Sequence, residues 1–276
     1  MIHNYPEDII HDILFRLPTK SLIRCTSVCK PGNYRIKNPS FIRTQLSRTI
    51  NLNNQSDAHL LLLYCVCTAP IEEHCNLRYD NLAFDEYCKL EFPILPREEL
   101  YNKFLHVVGV CNGLVFLADD KDYLGYTFML WNPSIRKSVT LPNPHLTFET
   151  ISKYYACIGF GFDAVTNDYK VVRLITEQCE DPNIFYEVYS LAGGSWSDPR
   201  SLDFACEVQF ISQDNGTKEF HNLVLNATVY FRCELVCPDL VSKQFKNLGI
   251  HGYEYYYAES YVESLVLLDK TDAVSY

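Results

Sequence analysis

The 276-residue chain contains no long apolar run. Its longest, Leu60 to Val66, falls far short of the roughly 20 residues a membrane-crossing helix needs, so no membrane partner is expected. The opening MIHNYPEDII has neither a basic n-region nor a cleavable apolar stretch, and no signal peptide is expected. The 12 cysteines show no framework spacing, which reads as reduced thiols in a cytoplasmic and/or nuclear protein. The sequons at Asn54, Asn215 and Asn226 are then chance matches. Basic residues are also scarce: 24 Lys and Arg stand against 34 Asp and Glu, a net charge of −10. Phosphate backbones demand a basic surface, so nucleic acid is not the expected partner.

Catalytic signatures are missing as well. There is no G-x-S-x-G elbow, and the eight histidines are scattered singly. Gly159-Phe160-Gly161 is too short for a dinucleotide loop and precedes a strand-like run rather than a helix. The most metal-like cluster is Cys65, Cys67, His74, Cys75 and Cys88, but Cys-x-Cys is not the spacing typical of structural zinc. Those thiols, like Cys233 and Cys237, read as small buried hydrophobes. No cofactor, metal or catalytic residue is therefore expected. An active site assembled from distant loops is the remaining route to an enzyme.

What is present is core-forming material of two textures. Hydrophobic residues make up 47% of the chain, and 20 Tyr raise the aromatics to 14%, a bias toward strands. Residues 1–48 carry eight Lys and Arg against three Asp and Glu, a net of +5, so nearly all the acid lies in the remainder. In this basic piece Ile9, Ile10, Ile13, Leu14 and Leu17 recur at helical spacing after Pro6, with Glu7 and Asp8 where a helix dipole favours acid. Pro18 stops that helix. Thr19 is placed to cap a second, on which Leu22, Cys25, Thr26 and Cys29 share a face. PSFIRTQL (39–46) offers another short helical piece, and the polar 49–58 reads as a linker.

Residues 59–276 read as a β domain with a long-range repeat. NGLVFL, NDYKVVRL and NATVYF open on Asn112, Asn167 and Asn226, and each is followed by a second strand and a turn. The turns centre on Asn132, Ser190 and Asp239. A spacing near 50 residues between strand pairs is the mark of β-propeller-like blades, with an antiparallel sandwich as the alternative. Trp131 and Trp196 read as core fillers beside the blade turns rather than a binding surface. The fold class expected is α+β by segregated modules: a small helical module, then an all-β, propeller-like domain, closed or incomplete.

The segment YPEDIIHDILFRLPTKSLIRCTSVCK, followed by NPSFIRTQL, resembles a plant F-box. VCNGLV (110–115), LWNPSIRK (130–137), GFGFDAVTNDYKVV (159–172), EVYSL (187–191) and the tail YVESLVLL (261–268) resemble the F-box-associated domain. The resemblance implies a substrate-receptor subunit of an SCF ubiquitin ligase. The F-box would dock on a Skp-type adaptor, and through it a cullin scaffold, while the β domain captures an unidentified target protein. The implied adaptor-binding residues are Pro6, Ile9, Ile10, Ile13, Leu14, Leu17, Pro18, Leu22, Cys25, Val28 and Cys29. The adaptor family is acidic, which suits the +5 charge of the module. The other readings are an interaction protein outside the ligase, or a decayed relative that no longer binds the adaptor; more distant is a β-propeller enzyme.

Two departures stand out. Relatives carry Ser-Trp where this chain has Pro31-Gly32, and if a helix runs through, Pro31 is expected to cost about 3 kcal/mol. The stretch between Leu248 and Tyr261 is also short, which argues for an open set of blades rather than a closed propeller.

Overall fold

The structure is a computed structural model that describes residues 7–55, 59–68, 71–81, 83–93, 100, 104–119, 127–147, 149–151, 154–179, 183–201, 229–231, 234–239, 244–251 and 255–275. It divides into two compact units, one formed by 1–57, 92–201 and 261–276, the other by 58–91 and 202–260. Among the described residues, no helix is long and apolar enough to cross a membrane.

Helices α1 (Glu7–Arg16), α2 (Thr19–Thr26), α3 (Lys30–Ile36) and α4 (Pro39–Asn54) open the first unit. Leu17 turns the chain by donating its N–H to Leu14 O, and Pro18 stops α1 as expected. Pro18 itself then caps α2: Ser21 and Leu22 both donate to its carbonyl, and no side chain caps the helix. Thr19, expected as the cap, is instead the first helical residue and is buried. Asn38 caps α4 by accepting from Ser40 N at 2.8 Å, with Pro39 in the first turn where a missing N–H costs nothing. This helix continues past the predicted 39–46 as far as Asn54, so most of the expected linker is helix. The polar composition that suggested a turn is the solvent side of a helix whose inner side carries Phe41, Ile42 and Gln45.

The rest of the first unit is two antiparallel sheets. The first contains β4 (His106–Cys111), β5 (Leu114–Ala118), β6 (Phe128–Asn132), β7 (Lys137–Thr140) and the terminal β17 (Val274–Ser275), in the order β17-β7-β6-β5-β4. The second runs β8 (Tyr154–Asp163), β9 (Asp168–Glu177), β10 (Ile184–Ser190) and β11 (Ser195–Trp196), with β12 (Arg200–Ser201) also on β10. The repeat read from the sequence is therefore a repeat of four-stranded meanders. Asn112 and Asn167 both lie in the turn from a sheet's first strand to its second, with φ of 52° at both. Asparagine tolerates this left-handed conformation, which explains why both repeats open on it.

In the β4–β5 turn Gly113 follows at φ 80°, making the two-residue Asn-Gly hairpin that matches strand twist. A Cβ on Gly113 would lie 2.5 Å from both Val262 O and Ser264 Oγ. Gly194, at φ 69°, has open space around it. Gly113→Ala is therefore expected to cost about 3 kcal/mol, combining backbone strain with overpacking, and Gly194→Ala only about 1 kcal/mol. Urea unfolding of the two variants checks this, and equal losses would show that the tail yields to the added methyl.

Strands β5 and β6 are buried along their whole length, hence their continuous apolar runs in place of alternation. Leu114, Phe116, Phe128 and Leu130 share one core with Leu22, Ile36, Phe41 and Ile42 of the helices, with Val171 and with Leu265 to Leu268 of the tail. Asn132, fully buried, fastens that tail: its amide donates to Ser264 O, Ser264 Oγ and Val266 O, while its Oδ1 accepts from Ser134 N.

The second sheet is built around a wholly buried ion pair. Arg173 on β9 donates to Glu187 Oε1 on β10 at 2.9 Å, to Leu146 O at 2.6 Å and to Tyr154 OH at 2.9 Å. His145 N donates to the other Glu187 oxygen at 2.9 Å.

The second unit pairs β1 (Leu60–Thr68), β2 (Ile71–Tyr79), β3 (Glu86–Lys89) and β16 (Tyr255–Tyr261) in the order β16-β1-β2-β3. It also holds a three-stranded sheet of β13 (Val229–Phe231), β14 (Glu234–Asp239) and β15 (Gln244–His251). Asn226, the third expected repeat start, lies outside the described residues. The predicted class stands: helices segregated at the N-terminus, then antiparallel sheets.

Candidate functional site

The helical module turns apolar side chains both ways. Leu14 and Leu22 point inward, 8% and 0% exposed, into the core shared with the sheets. Ile10, Leu17 and Cys25 are half-buried against the same core. Ile9 and Ile13, one turn apart on α1, are 48% and 55% exposed, and Val28 before α3 is 76% exposed. Pro18 and Cys29 are also exposed, and Pro6 lies outside the described residues.

The eleven residues named from the sequence thus divide. Leu14 and Leu22 are corrected to core residues, because the protein's own β-sheet already covers them. Ile9, Ile13, Pro18, Val28 and Cys29 remain available to a partner. Tyr34 on α3, 77% exposed, joins this outward set. The sequence pattern marks no element between Cys29 and Pro39, so nothing singles it out there.

Pro31 also requires correction. It occupies the first turn of α3, beginning a helix rather than interrupting one. The first N–H groups of a helix have no intrahelical partner, so the expected helix-breaking cost does not arise. Cys29 caps this helix, its Sγ accepting from Gly32 N at 3.4 Å. A Cβ on Gly32 would sit 3.1 Å from that sulfur, so a large side chain there must displace the cap.

The charge is consistent with the outward set. Arg24, Lys30 and Lys37 are exposed on the module. Arg16 is engaged by Asp12 at 2.8 Å, an exposed pair worth little. Lys20 faces Glu263 of the tail, whose carboxyl is pushed up by burial and pulled back by that lysine.

Other residues singled out in the sequence serve packing. Trp131 is fully buried with its ring 5.0 Å from Phe92. Trp196 is buried between Phe128 and Tyr189, and its indole N–H donates to Pro142 O at 2.7 Å. Cys65 and Cys75 are buried thiols; burial pushes Cys65 up to about 12 and Cys75 well above its ordinary value.

Comparison with known families resolves what these modules are. Residues 6–43 match the F-box domain, and residues 94–237, just over half of the chain, match the F-box associated beta propeller domain. The chain belongs to the plant F-box proteins. It is similar to F-box protein CPR1 of Arabidopsis thaliana, 29% identical over 74% of this chain and 47% of that protein. It is also similar to the Arabidopsis F-box/kelch-repeat protein At3g23880, 28% identical over 72% of this chain and 52% of the relative. Putative F-box only protein 9, also from Arabidopsis, is 27% identical over 88% and 61% respectively. The chain spans about half the length of the first two relatives. No solved structure matches it. The matched F-box covers α1 to α3 and the start of α4, the region that carries the outward apolar residues.

Proposed function

We propose that this chain is the substrate-receptor subunit of an SCF-type ubiquitin ligase. The outward face of its F-box docks on a Skp-type adaptor, which links it to a cullin, and its β domain holds a target protein. In this reading it performs no bond chemistry; ubiquitin transfer occurs on other subunits, and this chain fixes the target's position. The observation that carries the proposal is the division within the F-box. One set of apolar residues is already covered by the protein's own core, while Ile9, Ile13, Val28 and Tyr34 are exposed on the same module as the exposed Arg24, Lys30 and Lys37. Large apolar side chains left exposed beside a covered set favour a protein interface. In this reading the chain works in the cytoplasm or nucleus, where free thiols such as those of Cys65 and Cys75 stay reduced.

A second reading has one observation in its favour. Where the F-boxes this chain resembles carry a Trp packed between the module's helices, this chain has Gly32, which would weaken the module that docks. The two readings separate in a titration of the purified chain with a Skp-type adaptor. Saturable binding is expected, with an on-rate that falls as salt rises from 0.05 to 0.5 M, roughly as screening of a basic-to-acidic encounter requires. Absence of binding at every salt concentration selects the second reading.

A further inference from the structure

The two faces of the β8–β9–β10 sheet are treated differently. One carries Val171, Arg173 and Ile175, all fully buried, and Phe160, whose ring lies 5.6 Å from Phe116 of the first sheet. The alternate positions face the other way and are open. Tyr155 and Val172 are 40% and 38% exposed, Cys157 and Gly159 are exposed, and Leu174, Tyr186 and Val188 are half-buried. The ladder registers set these residues in two central rows, Cys157–Leu174–Tyr186 and Gly159–Val172–Val188. The outer rows are Tyr155–Thr176–Ile184 at one end and Gly161–Lys170–Ser190 at the other. This face shares no residue with the outward F-box face, and the inference drawn from it does not depend on adaptor docking.

Glycine inside a strand weakens it, and often marks a place where another chain comes close. Gly109 on β4 shows that use within the molecule, since a Cβ there would lie 3.6 Å from Phe160 Cβ. Gly159 and Gly161 are different. Among the described residues, no atom beyond their chain neighbours lies within 4 Å of a Cβ placed at either. Neither has the positive φ that would itself call for glycine. They leave a trough at one end of a face that is bulky at the other. The rows hold one charged residue, Lys170, and it is already balanced by Asp168 at 3.6 Å and Asp163 at 3.9 Å. A chain of net charge −10 thus presents here four rows without an acid to repel a second copy.

We propose that two copies of this chain meet through this face, about a two-fold axis that lies between the sheets and crosses the strands at right angles. That operation lays the Tyr155 row over the Gly161 row of the other copy, and the Cys157 row over the Gly159 row. Each Tyr155 then enters the trough at Gly161, and Leu174 meets Val172. One patch serves both sides, as a two-fold interface requires. At about 14 Å across three strands and about 24 Å along them, two such tracts together bury on the order of 1,000 Å², the lower end for a specific interface. A reversible dimer in the micromolar range is therefore expected. It presents two F-boxes and two associated β domains together, the condition for bivalent capture.

Sedimentation velocity on the full chain, from low to high micromolar concentration, reads the dimer directly. A concentration-dependent shift from monomer to dimer is expected. Val172→Glu sets an unpaired charge against Leu174 of the other copy and should weaken association at least a hundredfold. Circular dichroism should stay unchanged, because the position is open to solvent in the single chain. Gly161→Tyr fills the trough and should block the dimer as well. Adding Tyr155→Ala to it exchanges bulk and opening, and should restore association. Cys157 lies close to the axis, so a short bis-maleimide should join two parent chains; Cys157→Ser should lose that product while still dimerising. A parent chain that stays monomeric at every concentration overturns the proposal. So does a dimer that persists in folded Val172→Glu, a paired exchange no better than Gly161→Tyr alone, or cross-linking undiminished in Cys157→Ser.

Discussion

Replacing Arg173 with Met is expected to destabilise the first unit by about 3–5 kcal/mol, the usual cost of leaving a buried charge without its partner. Glu187 is fully buried and, having lost the guanidinium 2.9 Å away, would keep the His145 N–H and the His145 imidazole at 3.7 Å. Leu146 O and Tyr154 OH would lose their donor in the same step. Chemical denaturation followed by tyrosine and tryptophan fluorescence reads the loss. Arg173→Met with Glu187→Leu should recover most of it, since an apolar pair of similar volume leaves neither charge stranded. If the single variant unfolds at the same urea concentration as the parent, the pair is not the organising centre of the second sheet.

The second large effect is expected on the outward face of the F-box. Ile9→Asp with Ile13→Asp should weaken adaptor binding at least a hundredfold. Burying an isoleucine contributes about 1.5–3 kcal/mol, and a factor of 100 requires only about 2.7 kcal/mol. The fold should be untouched, because both side chains are about half exposed and Ile and Asp differ little in helix propensity. Leu17 is unsuitable for this purpose: it packs against the shared core, so a charge there would damage the body along with the interface. Removing the whole F-box is unsuitable for a related reason, since it would uncover Leu114, Phe116 and Leu130. Interferometry against a Skp-type adaptor, with circular dichroism on the same samples, separates a lost interface from a lost fold. Unimpaired binding by the folded double variant would place the interface elsewhere.

The helical period of residues 9–17, the stop at Pro18 and the Asn-led strand repeat were all legible in the sequence, because each is a local pattern with one physical meaning. Asn112 and Asn167 share a left-handed turn, and that identity is what made the repeat visible. Pro31 misled because proline breaks a helix interior but favours a helix start, and only the N-cap at Cys29 decides between these. The division of the F-box into covered and uncovered sides was not readable. Leu14 and Ile13 are adjacent, equally apolar and both on α1; what separates them is a sheet distant in sequence that covers one and leaves the other exposed. The Arg173–Glu187 pair was hidden for the same reason. Burial of a polar side chain is a property of its neighbours, and alternation along β9 marks Arg173 only as a residue facing one side.

Hydrogen–deuterium exchange of the full chain, with and without a Skp-type adaptor, tests the central claim most directly. Docking on the outward face predicts slower exchange in the segments carrying Ile9, Ile13, Val28 and Tyr34, with β5, β6 and the inner side of α4 unchanged. Protection confined to the β sheets, or no change in α1 and α3 at saturating adaptor, would contradict it.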